Sequence, residues 1–170
     1  LPVVMLSEIT PLILTFNEAP NIGRVLERLA WANRIVVLDS FSTDATEAIC
    51  RKFPQVEFIQ RRFESFAEQC NFGLQQIKTD WVLSLDADYV LTESLVAEIT
   101  SLAESPDVDG FSVGFTYCIH GRPLRASLYP PRAVLYRWGK AQYRNEGHGH
   151  RVAIQGTVRR LSGKVLHDDR

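Results

Sequence analysis

The sequence predicts an α/β protein, a mostly parallel sheet flanked by helices with a smaller mixed β region in the C-terminal third. Three observations carry this expectation. Four short, continuously apolar runs punctuate residues 1–109, as strands buried on both faces require. A segment with helical spacing of its apolar residues follows each run. After Gly110 the texture changes to alternation and tight turns.

Residues 9–16 open the sheet, with Leu12-Ile13-Leu14 after Pro11, a residue tolerated at a strand start. Residues 20–33 then set Ile22, Val25, Leu26, Leu29 and Ala30 at helical spacing, and Pro20 suits the first turn. Residues 34–38 (RIVVL) form the second strand and run into a polar turn at 39–43. Asp44 with Glu47 makes a capping signature for a helix reaching about Phe53. Residues 56–60 are a third strand. Ser65 with Glu68 is a second capping box, for a helix through Ile77. Residues 81–85 (WVLSL) are the fourth strand, ending in Asp86-Ala87-Asp88. Thr92 caps a last helix with Leu95, Val96, Ile99 and Leu102 as its stripe. Beyond Gly110, Phe111, Val113 and Phe115 alternate with small residues. Residues 132–138 and 151–154 read as further strands, with turns at 121–123 and 129–131.

A chain of 170 residues is one domain's worth. The formal net charge of -1 hides a cancellation. Residues 1–120 hold eight Lys+Arg against seventeen Asp+Glu, while residues 121–165 hold ten Lys+Arg and a single carboxylate, Glu146. Such asymmetry points to an anionic ligand handled by the second half, without the polybasic character of a nucleic-acid binder. Cys50, Cys70 and Cys118 form no CxxC pair, and an odd count disfavours a disulfide framework, so reduced thiols in a cytosolic protein are expected. No apolar run reaches a membrane span, and no signal peptide is legible. Leu1 at the start and the abrupt His167-Asp168-Asp169-Arg170 at the end suggest trimming at both ends, with C-terminal truncation expected.

In an open parallel sheet ligands bind at the carboxyl ends of the strands. Three such ends are polar here: Thr15-Phe16-Asn17-Glu18, then Asp39 to Asp44, then Asp86-Ala87-Asp88. No GxGxxG and no GxxxxGK[ST] is present, against a dinucleotide oxidoreductase and a P-loop NTPase. An acidic edge repels phosphate unless a divalent cation stands between them, and Asp-x-Asp offers hard oxygen ligands suited to Mg²⁺ or Mn²⁺. Metal with diphosphate is the natural reading. The bland alternative is a solvated turn with Asp88 near a helix N-terminus.

The stretches ILTFNEAPNI, IVVLDSFSTDAT, Gln69 with Asn71, and WVLSLDAD resemble family 2 glycosyltransferases of the GT-A fold, in family order from about residue 9 to 99. YRNEGHGHRV and LSGKVLHDD resemble bacterial lipopolysaccharide core β-1,4-glucosyltransferases. The resemblance implies one GT-A domain over 1–170, with residues 1–109 binding a UDP-sugar donor and 110–170 facing the acceptor. It implies that Thr15, Phe16, Asn17 and Glu18 line the nucleotide pocket, with Gln69 beside them, and that Asp39 accepts from uracil N3–H. Asp44 either lines the same turn or only caps its helix. Asp86 contacts ribose or sugar, and Asp88 holds the metal. His167 joins the metal or the diphosphate. Tyr89 departs from the acidic residue or Thr that commonly follows Asp-x-Asp.

The family reaction is an inverting displacement that needs one general base. Glu146, alone among ten basic residues, is the candidate, against a plain ion pair to Arg144 or Arg151. His148 is expected to touch acceptor or donor phosphate, His150 less so, and His120 to be structural or solvated. Arg122, Arg125, Arg132, Arg137, Lys140, Arg144 and Arg151, interleaved with Tyr129, Tyr136, Trp138 and Tyr143, suit a phosphorylated glycolipid or oligosaccharide acceptor and peripheral contact with the anionic inner face of the cytoplasmic membrane, against a solvated cationic face with a few core aromatics. No nucleic acid is expected. Two rival readings remain: a haloacid-dehalogenase-type phosphatase with Asp86 as nucleophile, and a non-catalytic glycan- or anion-binding domain.

Overall fold

The computed structural model describes residues 5–125, 129–146 and 149–170, with the side chains of 145, 146 and 149–151 outside the description. Its strands are β1 (Ile9–Thr15), β2 (Ile35–Asp39), β3 (Val56–Gln60), β4 (Trp81–Asp86), β5 (Tyr89–Leu91), β6 (Gly110–Ile119), β7 (Arg122–Pro123), β8 (Arg132–Arg137), β9 (Ala141–Glu146), β10 (Gly149–Ile154) and β11 (Val158–His167). The helices are α1 (Ile22–Glu27), α2 (Thr46–Cys50), α3 (Phe66–Gln75) and α4 (Glu93–Thr100).

The main sheet has nine strands, in the order β3-β2-β1-β4-β8-β6-β11-β5, with the short β7 paired to β6. The run β3-β2-β1-β4 is parallel throughout. β8 enters antiparallel to both β4 and β6, β11 is parallel to β6, and β5 closes the edge antiparallel to β11. β9 and β10 form a separate antiparallel hairpin. The expected mostly parallel sheet with a mixed C-terminal region is therefore present.

Alternation along the strands divides the core in two. Ile9 and Ile13 of β1, Ile35 and Val37 of β2, and Trp81, Leu83 and Leu85 of β4 pack on one face with Val25, Leu26, Cys50, Leu95 and Ile99 of the helices. Leu12, Val36 and Val82 point the other way, against Ala67, Cys70 and Leu74 of α3 and against Tyr143 of β9. Continuous apolar runs arise because both faces are covered. β3 is only partly buried, as an edge strand is.

Two caps match their signatures: Ser65 Oγ accepts from Glu68 N (3.2 Å), and Thr92 Oγ1 from Leu95 N (3.3 Å). Four expectations are corrected. α1 stops at Glu27 rather than 33, because Leu29 N and Ala32 N bond to carbonyls three residues back and tighten the chain into turns. α2 starts at Thr46 with Ala45 at its cap; Asp44 instead accepts from Thr46 N (3.0 Å) and Thr46 Oγ1 (2.5 Å), an Asx-type turn. The turn at 121–123 belongs to a β6–β7 hairpin, with His120 (φ 47°) and Gly121 (φ 77°) at its tip. The basic-aromatic surface is smaller than expected. Tyr136 and Tyr143 are core residues, and Arg137 is spent on Glu104 (2.8 Å), Asp109 (3.7 Å) and the Trp81 ring (4.6 Å). Arg122, Arg125, Tyr129, Trp138, Lys140 and Arg144 remain exposed.

Candidate functional site

β1 lies between β2 and β4, so successive connections leave it in opposite directions. That switch point opens a crevice at the strand ends. A cavity of about 720 Å³ occupies it, lined by Thr15, Phe16, Glu18, Asp86, Asp88 and Arg132 among others. Phe63 and Phe66, both half-exposed, add apolar wall, as does Cys70, whose thiol burial pushes up to about 12. A site of this size with apolar walls and a polar end fits a nucleotide-sized ligand.

The β1 and β2 ends are laced together. Asp39 is fully buried, and its carboxylate accepts from Thr15 Oγ1 (2.6 Å), Ser42 N (2.8 Å), Ser42 Oγ (2.5 Å) and Gln60 Nε2 (3.3 Å). With four internal donors on its two oxygens, Asp39 organises the loop that follows β2. Asn17 sits in the left-handed region (φ 52°), which Asn tolerates, and its amide oxygen accepts from Thr43 N (2.8 Å). Its own N–H donates to Ser42 Oγ (2.8 Å). Asp44 additionally accepts from Ala19 N (3.1 Å), which ties the two loops at a second point. Gln69 is buried, accepting from Arg61 (2.9 Å) and donating to Ser40 Oγ (3.2 Å). Asn17, Asp44 and Gln69 thus hold the loops that frame the cavity. Phe41, half-exposed with φ 60°, is a strained aromatic on the β2 loop that no sequence signal announced.

The β4 end brings the acidic residues together. Asp88 Oδ2 lies 2.9 Å from His167 Nε2. The Asp88 hydrogen bond holds the His167 pKa above its ordinary value against an opposing effect of burial, with Asp86 and Asp169 adding to the rise. Tyr89, tilted against Phe115 and edge-on to His167, receives a hydrogen bond from Arg132 (3.0 Å) and bonds Asp86; burial first, then the Asp86 charge, pushes its phenol up. Burial also raises Glu18, opposed by a hydrogen bond from Asn21 and reinforced by Asp88, Asp169 and Asp86. So Glu18, Asp86, Asp88 and Asp169 share one negative field. Among the described residues no three such side chains are arranged to hold an ion alone. Asp88 and His167 are two oxygen and nitrogen donors already side by side at the cavity, which suits a cation whose other ligands come from a diphosphate.

Sequence reasoning missed the segment that holds this pair in place. Asp168, 5% exposed, accepts from Gly121 N (3.2 Å) and Arg170 (2.9 Å), and lies 3.8 Å from Arg24 Nε. Its backbone N–H donates to the Asp88 carbonyl (3.0 Å). Asp169 accepts from Asn21 Nδ2 (2.8 Å). The available signal was the His-Asp-Asp run after a strand. On the acceptor side, the backbone of Glu146 ends β9, but its side chain lies outside the described residues, as does His148 altogether.

The family model for Glycosyl transferase family 2 matches residues 12–160. The lipopolysaccharide core biosynthesis glycosyltransferase LpsC of Rhizobium meliloti (strain 1021) is 27% identical over 168 residues, 91% of this chain and 61% of LpsC. The chain thus spans under two thirds of that relative. Among solved structures, S. aureus TarS 1–349 in complex with UDP-GlcNAc superposes with a TM-score of 0.58 at 21% identity, covering 71% of this chain and 38% of that one. Glucosyl-3-phosphoglycerate synthase from Mycobacterium tuberculosis, in complex with Mn²⁺, UDP and phosphoglyceric acid, gives a TM-score of 0.51 at 18% identity, covering 65% and 43%. At those identities the likeness is one of fold.

Proposed function

The chain belongs to glycosyl transferase family 2, and from that premise we propose that it transfers glucose from UDP-glucose to a saccharide of the lipopolysaccharide inner core, with inversion. The observation that carries the reading is the Asp88–His167 pair at the mouth of a strand-end cavity rich in carboxylates. LpsC supports the acceptor class and the TarS complex supports a UDP-sugar donor. In this reading residues 1–109 bind the donor and residues 110–170 the acceptor, within one domain.

Asp88 and His167 would hold Mg²⁺ or Mn²⁺, which when bound neutralises the diphosphate as it departs. Thr15, Phe16 and Glu18 line the nucleoside end, and Asp86, oriented by Tyr89, faces ribose or sugar. Arg132 fixes Tyr89 and adds the one cationic side chain among the lining residues. Glu146 takes the proton from the attacking hydroxyl, and His148 assists at acceptor or phosphate. Calorimetry with UDP, with and without Mn²⁺, tests the donor site; binding indifferent to metal would sink it. Glu146→Gln should abolish transfer and leave UDP affinity intact, and retained turnover would refute the base.

Among the described residues no helix is long and apolar enough to cross a membrane. Placement in the cytoplasm, peripheral to the inner face of the membrane, rests on the exposed cations of the second half. Its test is flotation with anionic vesicles, which must fall steeply with salt. The phosphatase reading is dropped, because the family match spans the Asp86 strand.

A further inference from the structure

Among the described residues the β9–β10 hairpin pairs with no strand of the main sheet. Its attachment at one residue is nevertheless specific. Asn71, on α3, donates from Nδ2 to the Tyr143 carbonyl (3.2 Å) and accepts at Oδ1 from the Tyr143 N–H (3.2 Å). One amide side chain therefore satisfies both backbone groups of one strand residue, as a neighbouring strand would. The Tyr143 side chain then runs into the core, where its hydroxyl donates to Ser84 Oγ (2.8 Å) and shares a second bond with the Tyr136 hydroxyl (2.7 Å). Tyr136 is fully buried and Tyr143 is 5% exposed.

Ser84 lies on β4 two residues before Asp86 and lines the cavity, as do Phe66 and Cys70 of α3. One anchor of Tyr143, Ser84, thus sits in the wall of the donor cavity, and the other, Asn71, follows the lining residue Cys70 on α3. Apolar contact alone would keep the hairpin in place loosely. A satisfied buried polar network selects one arrangement, because any slip leaves hydroxyl or amide groups unpaired. Glu146 follows on the same strand three residues later.

We infer that Asn71 and Tyr143 are positioning residues which lock the β9–β10 hairpin to the wall of the donor cavity, so that acceptor-side groups meet the donor in a fixed register. The inference rests on the glycosyltransferase reading above and, for its catalytic consequence, on β9 carrying the base.

The test uses Asn71→Ala and Tyr143→Phe in the full chain, with UDP-glucose and a heptose-containing inner-core oligosaccharide as substrates. Tyr143→Phe keeps the ring and removes only the hydroxyl, so it guards against simple misfolding. Both variants should lose about tenfold or more in kcat, with Mn²⁺-dependent UDP affinity within about twofold of the parent. Hydrogen exchange of the β9–β10 amides should quicken in both, and Asn71→Asp, which keeps the acceptor for Tyr143 N–H, should fall between parent and Asn71→Ala. Unchanged kcat in both variants overturns the inference, as does a fall in UDP affinity that matches the fall in kcat. Glu146→Gln separates the two claims. If it retains turnover while the Asn71 and Tyr143 variants lose it, the base is wrong and the lock stands.

Discussion

Removing the Asp168 carboxylate should loosen the Asp88–His167 pair without touching it. In Asp168→Ala, the Gly121 N–H and the Arg170 guanidinium lose their acceptor, and Arg24 loses its counter-charge. Hydrogen bonds to a charged group contribute about 1.5–3 kcal/mol each. The Arg170 side chain is 47% exposed and regains water, so its share is small. Gly121 and Arg24 then set the cost, which comes to about 2–4 kcal/mol, in line with breaking a largely buried ion pair. At about 2–4 °C per kcal/mol for a chain this long, Tm should fall by roughly 5–15 °C in thermal denaturation followed by circular dichroism. Asp168→Asn keeps one oxygen for Gly121 and should lose about half as much. The backbone N–H of residue 168, which alanine keeps, bonds the Asp88 carbonyl; with the side-chain anchors gone that contact is less fixed, and Mn²⁺-dependent UDP affinity should weaken in the alanine variant. A Tm shift below about 2 °C with unaltered UDP affinity would refute the reasoning.

Three further outcomes are expected. In Gly163→Ala the new Cβ would stand 2.6 Å from Leu95 Cα, so α4 must shift, and equilibrium denaturation should show a loss of about 1–3 kcal/mol. The His167 pKa is raised above 6.5 in the folded protein, so in chelator its pairing with Asp88 stabilises fully below that value and the gain is lost as pH rises through the folded pKa. The Tm gap between parent and His167→Ala should accordingly shrink as pH rises from 6.5 through the folded pKa, and a gap that widens contradicts the assignment. Glu18 is also raised, so its contribution is present below 4.5 and lost as pH climbs through the folded value, above which the ionised Glu18 opposes folding. Glu18→Gln should therefore raise Tm in chelator and lose that advantage when Mn²⁺ is added; equal gains in both conditions would show that no cation reaches this field.

The parallel half was legible because β1, β2 and β4 are buried on both faces, and burial of that kind writes itself as unbroken Ile, Val and Leu. Ser65 and Thr92 were legible because capping needs only local chain geometry. β9 was not, since its buried Tyr143 stands between the polar Gln142 and Arg144 without an apolar alternation around it, and its partner is Asn71 on a helix far away in sequence. Asp39 illustrates a subtler limit. A carboxylate at a strand end reads as a ligand group, but Thr15, Ser42 and Gln60 reach it from β1, the following loop and β3, and only the assembled fold shows its oxygens engaged.

The proximity of Asp88 and His167 is a matter of strand register rather than of loop chemistry. β5 begins immediately after Asp88, and its pairing with β11 sets His167 opposite Tyr89 and Leu166 opposite Val90. β11 also runs parallel to β6, with His167 opposite Tyr117, and its register shifts between Arg160 and Lys164. Burial alternates regularly across that irregularity, with Leu161, Gly163 and Val165 buried and Ser162 and Lys164 exposed. The face assignment that ends at His167 is therefore carried through intact. Gly163 is small because Leu95 of α4 lies against it, and the Glu98 carboxylate accepts from Gly163 N (2.9 Å) and Ser162 N (3.0 Å), pinning the strand at its irregular point. A slip of one residue would turn His167 to the opposite face and offer Leu166 or Asp168 in its place. Either substitute removes the nitrogen donor, so α4, through Leu95 and Glu98 against β11, governs whether the pair at the strand end exists.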